Sequence, residues 1–183
     1  MNKLEKDLNT IFDKGIFDDA TVSKFKKKIK EGKLTIQEDD EHHLCVYFAA
    51  YDPLAKEVFI GHHKKSGLWL FNGGHIDKGE IPMETIEREI GEEWGLDAKD
   101  LDIKTPELLT ITNIIKNKVR PCATHYDIWY YISVNKMEFL PKKECLNDEF
   151  YETGWKDYKT AIGLMREKNT IKSLEFIKDN LFF

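Results

Sequence analysis

The spacing of hydrophobic residues predicts two short amphipathic helices near the start of the chain. Each carries apolar residues at helical intervals: Leu4, Leu8, Ile11 and Phe12 in the first, and Val22, Phe25 and Ile29 in the second. Because each helix has only one narrow apolar stripe, it must dock on another surface. We interpret residues 1–39 as an N-terminal helical extension that stabilises the main body, with a homodimer contact and a substrate lid as alternatives.

The rest of the chain mixes strand-like and helix-like patterns. We predict strands at 44–50, 58–62, 68–71, 108–115 and 125–134, and helices at 82–94, 157–165 and 170–181. The Asp52-Pro53 pair predicts a turn that joins the first two strands into a hairpin. Residues 40–183 are therefore predicted to form one α/β domain with a mixed sheet.

Composition and charge narrow the class of protein. A chain of 183 residues with 41% hydrophobic residues suits one domain with a short extension. Lys and Arg number 28 against 33 Asp and Glu, so the formal charge of -5 argues against binding to long nucleic acids. The longest apolar run, 44–51, is shorter than the roughly 20 residues that span a bilayer. With no signal-peptide pattern and no Cys-x-x-Cys pair, we expect a cytoplasmic protein with reduced thiols and no membrane partner.

One segment concentrates the candidate chemistry. It holds nine residues at fixed spacing: Gly74, Glu80, Arg88, Glu89, Ile90, Glu92, Glu93, Gly95 and Leu96. At about 100° per residue, Glu89, Glu92 and Glu93 share an arc of about 100° on one helix face. Apolar residues on the adjacent arc fix the rotation of the helix and so direct the three carboxylates.

Three carboxylates on one helix face repel one another unless a cation neutralises them. Carboxylate oxygens without His or Cys partners favour Mg²⁺ or Mn²⁺ over zinc. The alternative is a solvated acidic helix face. Two neighbouring features favour the metal site, because Gly73-Gly74 permits close approach of the backbone to a ligand and Pro82 fixes where the helix begins.

The nine positions resemble, residue for residue, the Nudix box of the Nudix hydrolases. This resemblance implies an α/β/α sandwich around a mixed sheet, and cleavage of a nucleoside diphosphate linked to another group. It also implies six site residues, the first four as metal ligands and the last two as their orienting partners: Gly74 through its carbonyl, Glu89, Glu92, Glu93, Arg88 and Glu80. Asn72 stands where the family often has proline, and Gly91 interrupts the helix at an unconstrained position.

In the Nudix family the general base does not come from one fixed position of the sequence. The candidates are Glu89 and Glu92 inside the box, and Glu149 and Glu152 in a loop predicted before Trp155. Of the two outside the box, we include Glu152 in the predicted catalytic set.

The predicted function is that of a metal-dependent pyrophosphohydrolase with a small nucleotide-type substrate, such as ADP-ribose, a nucleotide sugar or a nucleoside triphosphate. The alternative is a catalytically inactive Nudix-fold sensor of a nucleotide metabolite, which a degenerate box would favour. No box glutamate is missing here. An isomerase of the isopentenyl diphosphate type would need a cysteine in the glycine loop, which Gly73-Gly74 does not supply.

Histidines and one arginine are weaker candidates. Neither His42-His43 nor His62-His63 can chelate one ion as a pair, because adjacent strand residues point to opposite faces. His75 follows Gly74 and is more suited than the other histidines to line the site, with packing of the glycine loop as the alternative. Arg120 contacts a terminal phosphate or is an exposed loop charge.

Overall fold

The structure is a computed structural model that describes residues 2–114 and 122–182. Within these ranges the helices are α1 (Lys3–Lys14), α2 (Asp19–Glu31), α3 (Pro82–Glu89), α4 (Lys143–Glu149), α5 (Tyr158–Leu164) and α6 (Lys168–Asn180). The strands are β1 (His42–Asp52), β2 (Glu57–His63), β3 (Trp69–Leu70), β4 (Asn72–His75), β5 (Leu108–Asn113), β6 (Thr124–Ser133) and β7 (Phe150–Asp157). A π-helical turn (Ile90–Trp94) continues α3, and a 3₁₀ turn covers Ala98–Asp100. No helix in the described ranges combines the length and the apolar character needed to cross a membrane.

The strands form one mixed sheet. Its main path runs β3-β2-β1-β6-β5, with β4 paired to β1 and β7 paired to β2. Strand β2 is antiparallel to β1, β3 and β7, and β5 is antiparallel to β6. Strands β1 and β6 run parallel, because the carbonyls of Glu41 and Tyr51 accept from the N–H groups of Thr124 and Val134 respectively. The predicted α/β class and mixed sheet are confirmed.

The chain divides into two compact units. The first contains Met1–Tyr47, Gly73–Ile86 and Thr105–Tyr130, and the second contains Phe48–Asn72, Glu87–Lys104 and Tyr131–Phe183. In the first unit, the predicted helices α1 and α2 are both present. Phe25 of α2 is fully buried and makes edge contacts with Phe12 (5.8 Å between ring centroids) and with Tyr126 of β6 (5.4 Å). These contacts dock α2 on β6 within the first unit. The role of residues 1–39, whether as a stabilising extension, a dimer contact or a substrate lid, stays a prediction.

In the second unit, β7 replaces the loop that we predicted before Trp155, so that prediction was wrong. Its residues alternate poorly between apolar and polar, with Gly154 near its centre, and gave no clear strand signal. The strand forms because it pairs with β2 from Glu57↔Asp157 to His63↔Phe150. Helix α4, which precedes β7, was not predicted either.

The glycine pair also differs from the prediction, because Gly73 and Gly74 lie on strand β4 rather than in a loop. A Cβ atom on Gly73 would lie 2.4 Å from the carbonyl oxygen of Val46 and 2.8 Å from the Tyr47 ring. Glycine is therefore required for the close approach of β4 to β1. Glycine at position 73 thus permits β4 to pair with β1.

Asp52 closes the β1–β2 hairpin and gives a test of the fold. Its carboxylate accepts from the N–H groups of Leu54 (2.9 Å), Ala55 (2.8 Å) and Lys136 (2.9 Å). Burial raises the pKa of Asp52, but these three N–H groups outweigh burial and hold the pKa below its usual value of 3.8.

We expect Asp52→Asn to lower the free energy of unfolding by about 1–2 kcal/mol at neutral pH. Because the folded-state pKa is depressed, this stabilisation is present above pH 3.8 and is lost as the pH falls through the folded-state value. Urea denaturation across this range measures the difference, with the exposed Asp148→Asn as control. A difference from wild type that stays constant down to low pH would contradict the assignment.

Candidate metal and catalytic site

The residues before α3 fix where the acidic helix begins. Pro82 is its first residue, and Glu84 accepts the N–H of Ile81 (3.0 Å), as a capping side chain does. Glu80 accepts the hydroxyl of Thr85 (2.7 Å). The predicted helix start is confirmed, and these contacts place Glu80 at the entry to the helix.

The end of the acidic helix departs from regular α geometry. Residues Ile90–Trp94 form a π-helical turn, which stops at Gly95 in the left-handed conformation (φ 64°). Our predicted arc assumed a continuous α-helix. In the structure the side chain of Glu89 is 11% exposed and that of Glu92 is 62% exposed, and Glu93 is buried. The three carboxylates are therefore unequal in burial, and Glu92 is the one open to solvent.

Two neighbouring side chains hold these carboxylates. Arg88 donates through Nη1 to Oε1 of Glu89 (2.7 Å) and to Oε2 of Glu92 (3.3 Å). The buried Asn72 donates through Nδ2 to Oε2 of Glu93 (2.6 Å). From the sequence, Asn72 is only a departure from the family pattern, and its contact with Glu93 is not predicted. The one available signal was its position directly before the two glycines.

The charge of this group fits a divalent cation. Three carboxylates, those of Glu89, Glu92 and Glu93, come from one helical segment, and the guanidinium of Arg88 contacts two of them. Two of these carboxylates are largely buried, where charge repulsion is screened less than in water. Oxygen-only donors of this kind match the preferences of Mg²⁺ and Mn²⁺. Gly74 lies on β4 in the first unit, and its role as a carbonyl ligand stays a prediction.

The two glutamates outside the acidic helix have basic partners of their own. Glu152 lies on β7 and its carboxylate is 3.6 Å from Nζ of Lys156. Glu149 ends α4 and contacts Nζ of Lys65 (2.9 Å) and Nε2 of His63 (3.4 Å). Burial raises the pKa of Glu149, but Lys65 and His63 outweigh burial and hold the pKa below its usual value. Glu149 is therefore ionised at neutral pH.

Comparison with known proteins agrees with this geometry. The profile of the NUDIX domain family matches residues 41–179, which is more than half of the chain. This chain belongs to the Nudix family. The resemblance carried by the nine spaced residues is thereby confirmed at the level of the family.

Three relatives illustrate the likeness. The RNA pyrophosphohydrolase of Ruthia magnifica subsp. Calyptogena magnifica is 29% identical over 56% of this chain, and the chain spans only 62% of that relative's length. The E. coli dihydroneopterin triphosphate pyrophosphohydrolase superposes with a TM-score of 0.64 and 15% identity, over 75% of this chain and 95% of its own. A C. elegans Ap4A hydrolase gives a TM-score of 0.59 and 17% identity, over 75% and 96%. The two structural matches confirm the predicted Nudix fold.

Two weaker candidates lie outside the carboxylate group of the Nudix box. Arg120 falls within 115–121, outside the described residues. His75 lies in the first unit, where its Nε2 atom is 3.8 Å from Sγ of Cys122 and its ring centroid is 4.8 Å from that of His43. Burial lowers the pKa of His43, and burial together with His75 and His43 lowers the pKa of His125 to about 3.

Proposed function

We propose that this Nudix protein is a divalent-metal-dependent pyrophosphohydrolase that cleaves a phosphoanhydride bond in a small nucleotide-type diphosphate. The observation that carries the proposal is the group of three carboxylates on α3 and its π-helical turn, of which Glu89 and Glu93 are buried. The relative named an RNA pyrophosphohydrolase supports the class of reaction.

The proposed metal ligands are the box residues Gly74, Glu89, Glu92 and Glu93. When bound, the divalent metal supplies Lewis-acid stabilisation of phosphate charge and lowers the pKa of a nearby water. Arg88 fixes the side chains of Glu89 and Glu92 through its two hydrogen bonds. Asn72 does the same for Glu93, so the carboxylates are oriented before substrate arrives.

A carboxylate must take the proton from the attacking water as the water oxygen reaches phosphorus. We keep four candidates for this general base: Glu89, Glu92, Glu149 and Glu152. Within the box, Glu92 has the carboxylate that is most open to solvent, whereas Glu89 is buried against Arg88. Outside the box, Glu152 is as exposed as Glu92 and stays in the proposed catalytic set.

The net charge of the protein favours a small substrate over a long polyanion. The formal charge of -5 repels a long polyanion, whereas a small diphosphate brings few charges to a local cation. We therefore assign the substrate to the class of ADP-ribose, nucleotide sugars and nucleoside triphosphates, and we include 5′-triphosphorylated RNA in the test because of the relative's name.

A substrate panel with mass analysis of the products tests this proposal. With Mg²⁺ or Mn²⁺, we expect one or more members of the panel to yield two phosphate-bearing products, and we expect a chelator to abolish the reaction. Release of orthophosphate alone from a monophosphate would contradict the proposed bond. Tight binding of a nucleotide without turnover of any panel member would instead support the sensor function.

A further inference from the structure

A second group of potential metal ligands lies within the first unit, apart from the carboxylates of the Nudix box. His43 is on β1, His75 ends β4, and Cys122 and His125 lie just before and on β6. Each offers one ligand atom, and these atoms all lie within 4.8 Å of one another. The Nε2 atoms of His43 and His75 are each 3.8 Å from Sγ of Cys122. In a tetrahedral zinc site the corresponding nitrogen–sulfur separation is about 3.6 Å, so small side-chain shifts complete the geometry.

Burying these polar side chains raises the free energy of the folded protein unless a metal ion or another partner satisfies them. His125 is only 8% exposed, and neither of its ring nitrogens has a hydrogen-bond partner among the described residues. Leaving a buried polar group without a partner costs about 1–3 kcal/mol. His43 and Cys122 are buried beside it. Coordination of a metal would give the His125 imidazole a partner that the described residues do not supply.

His43 is also oriented as a metal-binding histidine. Its Nδ1 atom lies 2.8 Å from the carbonyl oxygen of Asp39, so Nδ1–H donates to that carbonyl. The lone pair is then on Nε2, the atom that faces Sγ of Cys122. A backbone carbonyl in this position fixes the tautomer and the ring orientation of zinc-bound histidines in general.

We propose that His43, His75, Cys122 and His125 bind one Zn²⁺ ion in a closed tetrahedral site. Three imidazoles and one thiolate select zinc rather than Mg²⁺ or Mn²⁺, and the Cys122 thiol releases its proton to solvent when the metal binds. Four protein ligands leave no open position, which is typical of structural rather than catalytic zinc. The ion links β1, β4 and β6.

The site also has a consequence for the Nudix box. Because His75 follows Gly74 directly, zinc bound to His75 restricts the backbone at Gly74. This consequence rests on the proposed function, in which Gly74 is a ligand of the catalytic metal, whereas the zinc site itself does not.

An overlapping set of ligands is a weaker choice. Cys45, His125 and Asp127 also come within 4.8 Å of one another. The Asp127 carboxylate, however, accepts the hydroxyls of Thr110 (2.9 Å) and Thr112 (2.5 Å) through Oδ2. This set offers three ligands rather than the four of a closed structural zinc site, so the geometry favours the site built on Cys122.

A Co²⁺ titration of the full-length, metal-stripped protein tests the site directly. We expect the visible absorption of tetrahedral Co²⁺ and a thiolate-to-cobalt charge-transfer band, both saturating at one ion per chain and both displaced by zinc. Cys122→Ser should lose the charge-transfer band, whereas Cys145→Ser and Cys45→Ser should keep it. Absence of the band in the wild-type protein would overturn the proposal, and its loss in Cys45→Ser with retention in Cys122→Ser would assign the metal to the other set.

Zinc content and thermal stability provide a second test that does not depend on activity. The purified wild-type protein should contain one zinc per chain, and His43→Gln should lower zinc affinity at least about 10²-fold. His42→Gln is the matched control, because this exposed neighbour on the same strand should leave zinc affinity unchanged. Zinc should raise the melting temperature of the wild type, since a ligand that binds only the folded state stabilises it. Wild-type protein without zinc, or equal zinc affinity in both variants, would overturn the site. Either result would leave the proposed hydrolase activity untouched.

Discussion

Glu93→Gln is expected to lower kcat on the best substrate by about 10³-fold, the order of effect seen when transition-state charge stabilisation is removed. The substitution keeps the side-chain volume and an oxygen that can accept from Asn72, so it removes little besides the negative charge. Glu92→Gln should also lower kcat strongly, because it removes a second proposed ligand. Steady-state kinetics at saturating Mg²⁺, with circular dichroism to verify folding, measure the effect.

A matched control lies on the same helix. Glu87→Gln neutralises an exposed carboxylate outside the nine spaced positions and should leave kcat and KM at wild-type values. Because like charges repel at helical spacing, the box variants should keep the wild-type melting temperature or raise it slightly. If Glu93→Gln retains a kcat within threefold of wild type, the metal role of Glu93 is wrong. Loss of fold in that variant would point to a structural role.

Trp94→Ala is expected to lower the free energy of unfolding by about 3–5 kcal/mol, the cost of deleting a large buried side chain. Trp94 is fully buried and makes edge contacts with Phe48 (4.7 Å between centroids) and Phe139 (4.8 Å). It also ends the π-helical turn that carries Glu93, so a cavity here should disorder a proposed ligand. Denaturant unfolding measures the loss of stability.

Two further variants make this prediction specific. Trp94→Phe should cost less than Trp94→Ala, because it keeps an aromatic ring and removes an indole N–H that has no partner among the described residues. Trp69→Ala truncates a partly exposed tryptophan in the same unit and should cost less than half as much. Equal losses for Trp94→Ala and Trp69→Ala would show that the turn is not anchored by Trp94.

The sequence predicts the start of the acidic helix but not the geometry of its end. Its start follows from local chemistry, because Pro82 and the capping side chain of Glu84 act within one turn of the chain. Its end does not, because the π-helical turn depends on how Trp94 packs against residues distant in sequence. The helical repeat therefore predicted that the three glutamates share one helical segment, but it did not predict that Glu92 alone among them is exposed.

Long-range contacts explain the remaining features that the sequence alone does not predict. Strand β7 is specified by its pairing with β2 more than by its own residues. The histidine–cysteine group is also invisible in a linear reading, because Cys122 is 79 residues from His43 and 47 from His75. Adjacent residues on one strand cannot chelate one ion as a pair, but His43 of β1 also lies near His75 of β4 and near His125 of β6. Such a group forms only when the strands come together in the fold.

Metal-dependent hydrolysis at the Nudix box is best tested by the dependence of turnover on Mg²⁺ concentration, compared between the wild type and Glu93→Gln. We expect no cleavage of the best substrate without a divalent metal and saturable activation of the wild type by Mg²⁺. We also expect a half-saturating Mg²⁺ concentration at least about tenfold higher in Glu93→Gln, since an amide attracts a divalent cation far less than a carboxylate does. Turnover that persists in a chelator, or identical Mg²⁺ dependence in the two proteins, would contradict a metal role for Glu93 and metal-dependent catalysis at the box.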